Sequence, residues 1–189
     1  MSDAVIADRL SSGDRALLKK AALVVAGIAL LAICAKIRIP MWHVPITMGT
    51  FAVLTLGAVY GPALGLTTIL AYLAIGALGV PLFAGESAGI AYMMGGTGGY
   101  LLGYVLATVA LGAAARNGFD RSVAGMAVFL LIGNALIYVP GLLWLNTMPY
   151  AEGWSWTIGA GLTPFLVGDA LKLALAALLV PALWKALDR

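Results

Sequence analysis

The chain has 189 residues, 62% of them hydrophobic and only 10% charged, with a mean hydropathy of +1.02. A water-soluble fold of this length could not cover so much apolar surface with so few charges, so the composition excludes a soluble domain and makes lipid the solvent. Eleven Lys and Arg against eight Asp and Glu give a net charge of +3, and the chain has one cysteine, Cys34; scattered cations in such a chain report orientation rather than affinity for nucleic acid, and a lone cysteine excludes an internal disulfide or a cysteine metal site.

A spanning helix takes about 20 residues, which leaves room for about six or seven spans. The expected architecture is a single transmembrane domain over residues 1–189, an all-α bundle of six transmembrane helices. Residues 1–16 read as a polar cytoplasmic leader with Asp3, Asp8 and Asp14 and no evident cleavage site, so the apolar run behind them is a retained span. The spans are predicted at about 17–35, 44–60, 63–80, 91–115, 123–146 and 158–184, with Gly61-Pro62 as the tight turn between the second and third. Small residues four apart, Ala22 and Ala26 in the first span, Gly99, Gly103 and Ala107 in the fourth, and Ala170 and Ala174 in the sixth, are suited to close packing between helices.

An even number of spans puts both termini on one side. Placing them in the cytoplasm, across the cell's inner (plasma) membrane, puts Arg9, Arg15, Lys19, Lys20, Arg116, Arg121, Lys185 and Arg189 inside and only Lys36 and Arg38 outside, which satisfies the positive-inside rule. The outer loops, 36–43, 81–90 and 147–157, carry Trp42, His43, Tyr150, Trp154 and Trp156, residues suited to a membrane interface or to a lid over a pocket. His43, the single histidine, cannot alone build a metal site or a catalytic triad. The two halves carry no evident inverted repeat of the kind found in many secondary carriers.

Asp169 and Lys172 are the most informative residues, because a charge at mid-membrane costs about 2.5–3.5 kcal/mol on insertion scales. Their i, i+3 spacing puts them on one helical face, where each offsets the other's desolvation. If the sixth span is helical throughout, Asp169 lies roughly 16 Å inside it. Such a pair can pin the helix to its neighbours, bind a ligand or relay a proton; no other acidic residue lies within a span, which disfavours the relay. The stretch from Tyr92 to Tyr104 holds Thr97, Gly98 and Tyr100 after a loop with Phe83, Gly85 and Glu86, and its glycines suit either helix packing or the close approach of a ligand. A phosphate-cradling loop is excluded, since the chain contains no Gly-Lys dipeptide. Asn134, an amide inside the fifth span, needs partners from another helix or from a ligand.

Four segments together, 44–54 (VPITMGTFAVL), 72–85 (YLAIGALGVPLFAG), 96–104 (GTGGYLLGY) and 164–172 (PFLVGDALK), resemble the BioY family, the biotin-specific substrate-binding (S) components of energy-coupling factor (ECF) transporters. The chain departs from that pattern at Gly49, where Gln is usual, and at Gly96, where Pro often precedes the Thr-Gly-Gly-Tyr run. The resemblance implies a six-helix S-component fold whose biotin pocket, near the outer surface, is lined by Asp169, Lys172, Thr97, Gly98, Tyr100, Tyr92, Phe83, Gly85 and Asn134. It further implies a transmembrane coupling protein docking on Ala22 and Ala26, two ATP-hydrolysing subunits, no cofactor, and no enzymatic activity in this chain. A self-sufficient secondary carrier or channel is the alternative, and a polytopic membrane enzyme the third class, disfavoured by the lack of a clustered catalytic set.

Overall fold

The computed structural model describes residues 4–11, 13, 15–39 and 43–187. Asp3, Asp14, Trp42 and Arg189, named above, lie outside the described residues. In chain order the elements are α1 (Ile6–Leu10), α2 (Ala16–Lys36), the strands β1 (Arg38–Ile39) and β2 (Ile46–Thr47), α3 (Gly49–Ala77), α4 (Gly89–Met93), α5 (Gly98–Arg116), α6 (Val123–Leu145), α7 (Trp154–Gly161) and α8 (Leu166–Leu187), with short 3-10 turns at Phe119–Arg121 and Thr163–Phe165.

Among the described residues, five stretches are long and apolar enough to cross a membrane: α2, α3, α5, α6 and the α7–α8 unit. The 29 residues of α3 are two helical arms, because Gly61 adopts φ 74° and ψ 178° and Pro62, which has no N–H, starts the second arm. A Cβ on Gly65 would lie 3.8 Å from the Cα of Gly57, whereas eight residues of continuous helix would separate the two by about 12 Å. The arms therefore fold back on each other, and the bundle has six apolar helical segments.

Several expected boundaries move. Residues 44–48 feed β2, which pairs antiparallel with β1 (Arg38 opposite Thr47, Ile39 opposite Ile46), so Arg38 and Ile39 of the expected outer loop belong to a short ribbon and the second span starts at Gly49. The fourth span is interrupted between Met93 and Gly98, and the sixth between Gly161 and Leu166. At the second break Leu162 leaves helical geometry (φ −128°, ψ −57°) and Pro164 cannot donate to the preceding turn. Asp169 consequently lies in the first turn of a new helix rather than deep inside a continuous one. The leader is also more than a solvated tail: Val5, Ile6 and Ala7 are 0–2% exposed, and Val5 closes against the Gly61 bend.

Helix α5 sits at the centre, packed on both arms of α3 and on α6. Close approach is made possible by missing side chains: a Cβ on Gly112 would fall 2.4 Å from the Pro62 backbone, and one on Gly103 2.6 Å from the Ile137 Cα. Helix α2 is peripheral, with Leu17, Val25 and Ile33 exposed, and is tied down by the Tyr60 hydroxyl donating to the Leu23 carbonyl at 2.7 Å. At one end of the bundle, Trp184 donates to Asp120 at 2.5 Å while the Arg121 guanidinium lies 4.7 Å from the centre of the Trp184 ring. That end also gathers the start of α2, the end of α5 and Lys185; the ribbon, α4 and the 78–88 loop form the opposite end.

Candidate binding cavity

The ribbon end of the bundle contains a cavity with an empty volume of about 690 Å³, its open mouth included, a size ordinary for a small-molecule site. Its walls are aromatic because four elements each turn a ring inward: Tyr72 from the second arm of α3, Tyr92 from α4, Tyr100 and Tyr104 from the start of α5, and Tyr138 from α6. Phe83 closes one side. It is 1% exposed, stacks on Tyr92 (5.1 Å, 15°) and meets Tyr72 edge-on (5.6 Å, 80°). Room for it exists because residue 76 is glycine; a Cβ there would lie 2.3 Å from the Phe83 ring.

The floor is polar. Lys172, 9% exposed, donates to Asp169 Oδ1 at 3.0 Å, to the Thr47 carbonyl at 2.7 Å and to Thr50 Oγ1 at 3.3 Å. Asp169, 3% exposed, also accepts from Tyr138 at 2.5 Å, Asn134 at 3.3 Å and Thr50 at 3.4 Å. The break at Leu162 and Pro164 matters here, because a carboxylate in the first turn of α8 faces the positive end of the helix dipole, worth about 0.3–1 kcal/mol. Pairing and the surrounding donors offset the remaining desolvation of the two charges.

Over the cavity, Lys36 at the end of α2 donates to the carbonyls of Pro81 (2.6 Å) and Gly85, and lies 3.9 Å from Glu86. Arg38 packs against Gly85, whose φ of +67° and lack of a side chain let the guanidinium approach. On the far side of the mouth, His43 meets Tyr150 and Trp156 at ring distances of 4.9 and 4.8 Å.

Of the residues nominated from sequence, Phe83, Tyr92, Thr97, Tyr100 and Lys172 line the cavity, and Asp169 stands behind Lys172. Asn134 does not line it; its amide donates to Asp169, and its Oδ1 has no hydrogen-bond partner among the described residues. Gly98 and Gly85 serve packing instead. A Cβ on Gly98 would lie 2.1 Å from the Met93 carbonyl and 2.9 Å from Trp144 Nε1, and Gly85 is occupied with Arg38 and Lys36. Gly96 packs beneath the Tyr150 hydroxyl, while Gly49 lines the cavity and leaves space for the hydroxyl of Tyr104. Ala22 and Ala26 lie on the exposed outer face of α2.

Sequence reasoning missed Thr47, Thr50, Tyr72, Tyr104, Tyr138 and Phe165, all of which reach the cavity. One signal was available: Tyr138 follows Asn134 by four residues, so both project from one face of α6. Thr47 contributes only a backbone carbonyl to the floor, which no side-chain pattern reveals. The arrangement as a whole, a neutral ion pair under aromatic walls, suits a small and largely apolar guest carrying a few polar atoms at one end.

Comparison with known proteins bears on the same stretch of chain. A relative in Pyrococcus horikoshii, described as a probable biotin transporter BioY, is 36% identical over 165 residues, covering 87% of this chain and 96% of that one. The biotin transporter BioY of Thermotoga maritima is 34% identical over 165 residues, covering 86% and 95%, and biotin transporter BioY2 of Lactococcus lactis is 30% identical over 166 residues, covering 88% and 90%. The crystal structure of the S-component for biotin from an ECF-type ABC transporter superposes with a TM-score of 0.82 at 22% identity, covering 92% of this chain and 95% of that one, and so shares its fold. The sequence profile of the BioY family matches residues 7–189, and this membrane protein belongs to that family.

Proposed function

We propose that this chain is the high-affinity biotin-binding subunit of a vitamin-uptake transporter, capturing biotin from the outer side of the plasma membrane for import. The observation that carries the reading is Lys172 at the floor of a tyrosine-lined cavity, with Asp169 paired behind it. Biotin complements such a site: its thiophane ring fits between aromatic faces, and its ureido group brings N–H donors and a carbonyl to the paired charges. Membership of a family whose curated relatives are named biotin transporters supports transport rather than catalysis.

Orientation follows from charge. Seven of the described cations, Arg9, Arg15, Lys19, Lys20, Arg116, Arg121 and Lys185, lie toward the end opposite the cavity, so that end faces the cytoplasm and the cavity opens outward. Energy comes from partners. A transmembrane coupling protein docks on the exposed Ala22 and Ala26 face of α2, and two further subunits hydrolyse ATP; biotin is cargo, and no cofactor is held.

The test is a titration of the purified protein with biotin, desthiobiotin and unrelated vitamins, followed by tryptophan fluorescence. Biotin and desthiobiotin bind, and the Asp169→Asn and Lys172→Ala variants insert and purify folded but lose tight binding. Retention of wild-type affinity in both variants defeats the site assignment. Accumulation of biotin by proteoliposomes holding this chain alone, without ATP, defeats the need for the energising partners.

A further inference from the structure

The floor of the cavity leaves little hydrogen-bonding capacity unused. The three ammonium donors of Lys172 go to the Thr47 carbonyl (2.7 Å), Asp169 (3.0 Å) and Thr50 (3.3 Å). The roughly four acceptor positions of a carboxylate are taken on Asp169 by Lys172 (3.0 Å), Tyr138 (2.5 Å), Asn134 (3.3 Å) and Thr50 (3.4 Å). A guest that engages this pair must therefore displace one of its partners. The Thr47 carbonyl is backbone, fixed by the pairing of β2 with β1, and the Tyr138 bond is short. Asn134 does not face the cavity. Thr50 does, and its two contacts are among the longest of the set: one hydroxyl accepts from Lys172 while donating to Asp169.

We infer that Thr50 is a specificity-determining residue whose hydroxyl holds the place of the guest's polar edge, and that the group recognised there is the edge of a cyclic urea or lactam. Such an edge carries an N–H and a C=O side by side, so it replaces both contacts of the hydroxyl at once. A carboxylate offers no donor and would face Asp169 with like charge; an ammonium offers no acceptor and would face Lys172. The ureido ring of biotin accordingly enters first and the carboxylate tail points to the mouth. This inference rests on the proposed biotin reading and deepens it.

The experiment titrates the full chain in lipid nanodiscs, as wild type, Thr50→Val and Thr50→Ser, with biotin and with biotin methylated on both ureido nitrogens. Thr50→Val binds biotin about twofold to tenfold more tightly than wild type, because the lost hydroxyl weakens only the protein without its guest. Thr50→Ser keeps an affinity within about twofold of wild type, and the methylated analogue binds to none of the three. Weaker or unchanged biotin binding by Thr50→Val overturns the place-holding role alone, provided wild type binds biotin. Should Thr50→Val fail to fold, equal affinity of wild type for biotin and its methylated analogue overturns it instead. Failure of wild type to bind biotin sinks the biotin reading and this inference together.

Discussion

Tyr138→Phe isolates one hydrogen bond at the floor of the cavity. The ring of Tyr138 meets Tyr100 (6.0 Å, 84°) and Phe165 (6.3 Å, 68°) edge-on, contacts that phenylalanine preserves, while its hydroxyl donates to Asp169 Oδ2 at 2.5 Å. A hydrogen bond to a buried charged group contributes about 1.5–3 kcal/mol, and that is the expected loss of folding stability. Asp169 then keeps only Asn134 on that oxygen, at 3.3 Å, beside Lys172 and Thr50 on Oδ1, so the counter-ion of Lys172 is held less firmly. If about half of that amount is lost from the binding free energy, biotin affinity falls about threefold to tenfold, since about 1.4 kcal/mol corresponds to a factor of ten. The decisive measurement is a double-mutant cycle with Asp169→Asn, reading thermal unfolding and the titration in parallel. The hydroxyl acts through the carboxylate, so removing it from the Asp169→Asn protein costs much less than removing it from wild type. Additive losses across the cycle would refute the reasoning.

Three further perturbations test the surrounding structure. Gly76→Ala puts a Cβ 2.3 Å from the Phe83 ring, so Phe83 is forced off Tyr72 and Tyr92; the overpacking costs about 1–3 kcal/mol of stability, and biotin affinity drops with it, whereas wild-type melting and binding would contradict the geometry. Lys36→Met removes the ammonium that holds the Pro81 and Gly85 carbonyls, and bound biotin leaves about threefold to tenfold faster in stopped-flow fluorescence; an unchanged release rate means the 78–88 loop does not gate exit. At the opposite end, burial raises the pKa of Asp120 above its ordinary 3.8, with the Trp184 hydrogen bond and Arg121 pulling the other way. The folded chain thus holds the Asp120 proton more tightly than the unfolded one, so stability declines as pH rises from 3.8 to the raised value and is level above it. Asp120→Asn, which keeps an acceptor for Trp184, flattens that acid-side slope in thermal melts, and an unaltered slope would show that another group sets it.

The membrane architecture was legible because lipid makes apolar run length a direct signal, and Gly61-Pro62 was readable as a turn because the pair of residues imposes one. Hydropathy carries no information about φ and ψ inside an apolar run, so it did not place the interruptions at Met93–Gly98 and Gly161–Leu166, although the glycines between Tyr92 and Tyr104 permit an irregular backbone at the first and both flank the cavity. The buried role of Val5 to Ala7 was hidden by the acidic residues around them, of which Asp8 turns back to accept from the Val5 N–H at 3.2 Å. Charges stand out against a hydrophobic background, which is why Asp169 and Lys172 were found. Thr50 and Tyr138 did not stand out, since hydroxyl and aromatic side chains occur throughout membrane helices and only the fold shows which of them meet the pair.

The same interruptions that sequence patterning concealed explain how this bundle tolerates two buried charges. In a continuous sixth span, Asp169 would face hydrocarbon from mid-helix, at a cost of about 2.5–3.5 kcal/mol before any compensation. Ending α7 at Gly161 and restarting at Leu166 gives the carboxylate the N-terminal turn of α8, and beginning α3 at Gly49 brings the first-turn hydroxyl of Thr50 and the Thr47 carbonyl within reach of Lys172. Thr47 in turn is the ribbon partner of Arg38, and Arg38 supports Gly85 in the loop that carries Phe83. The polar floor and the aromatic cover therefore share one support, the β1–β2 ribbon.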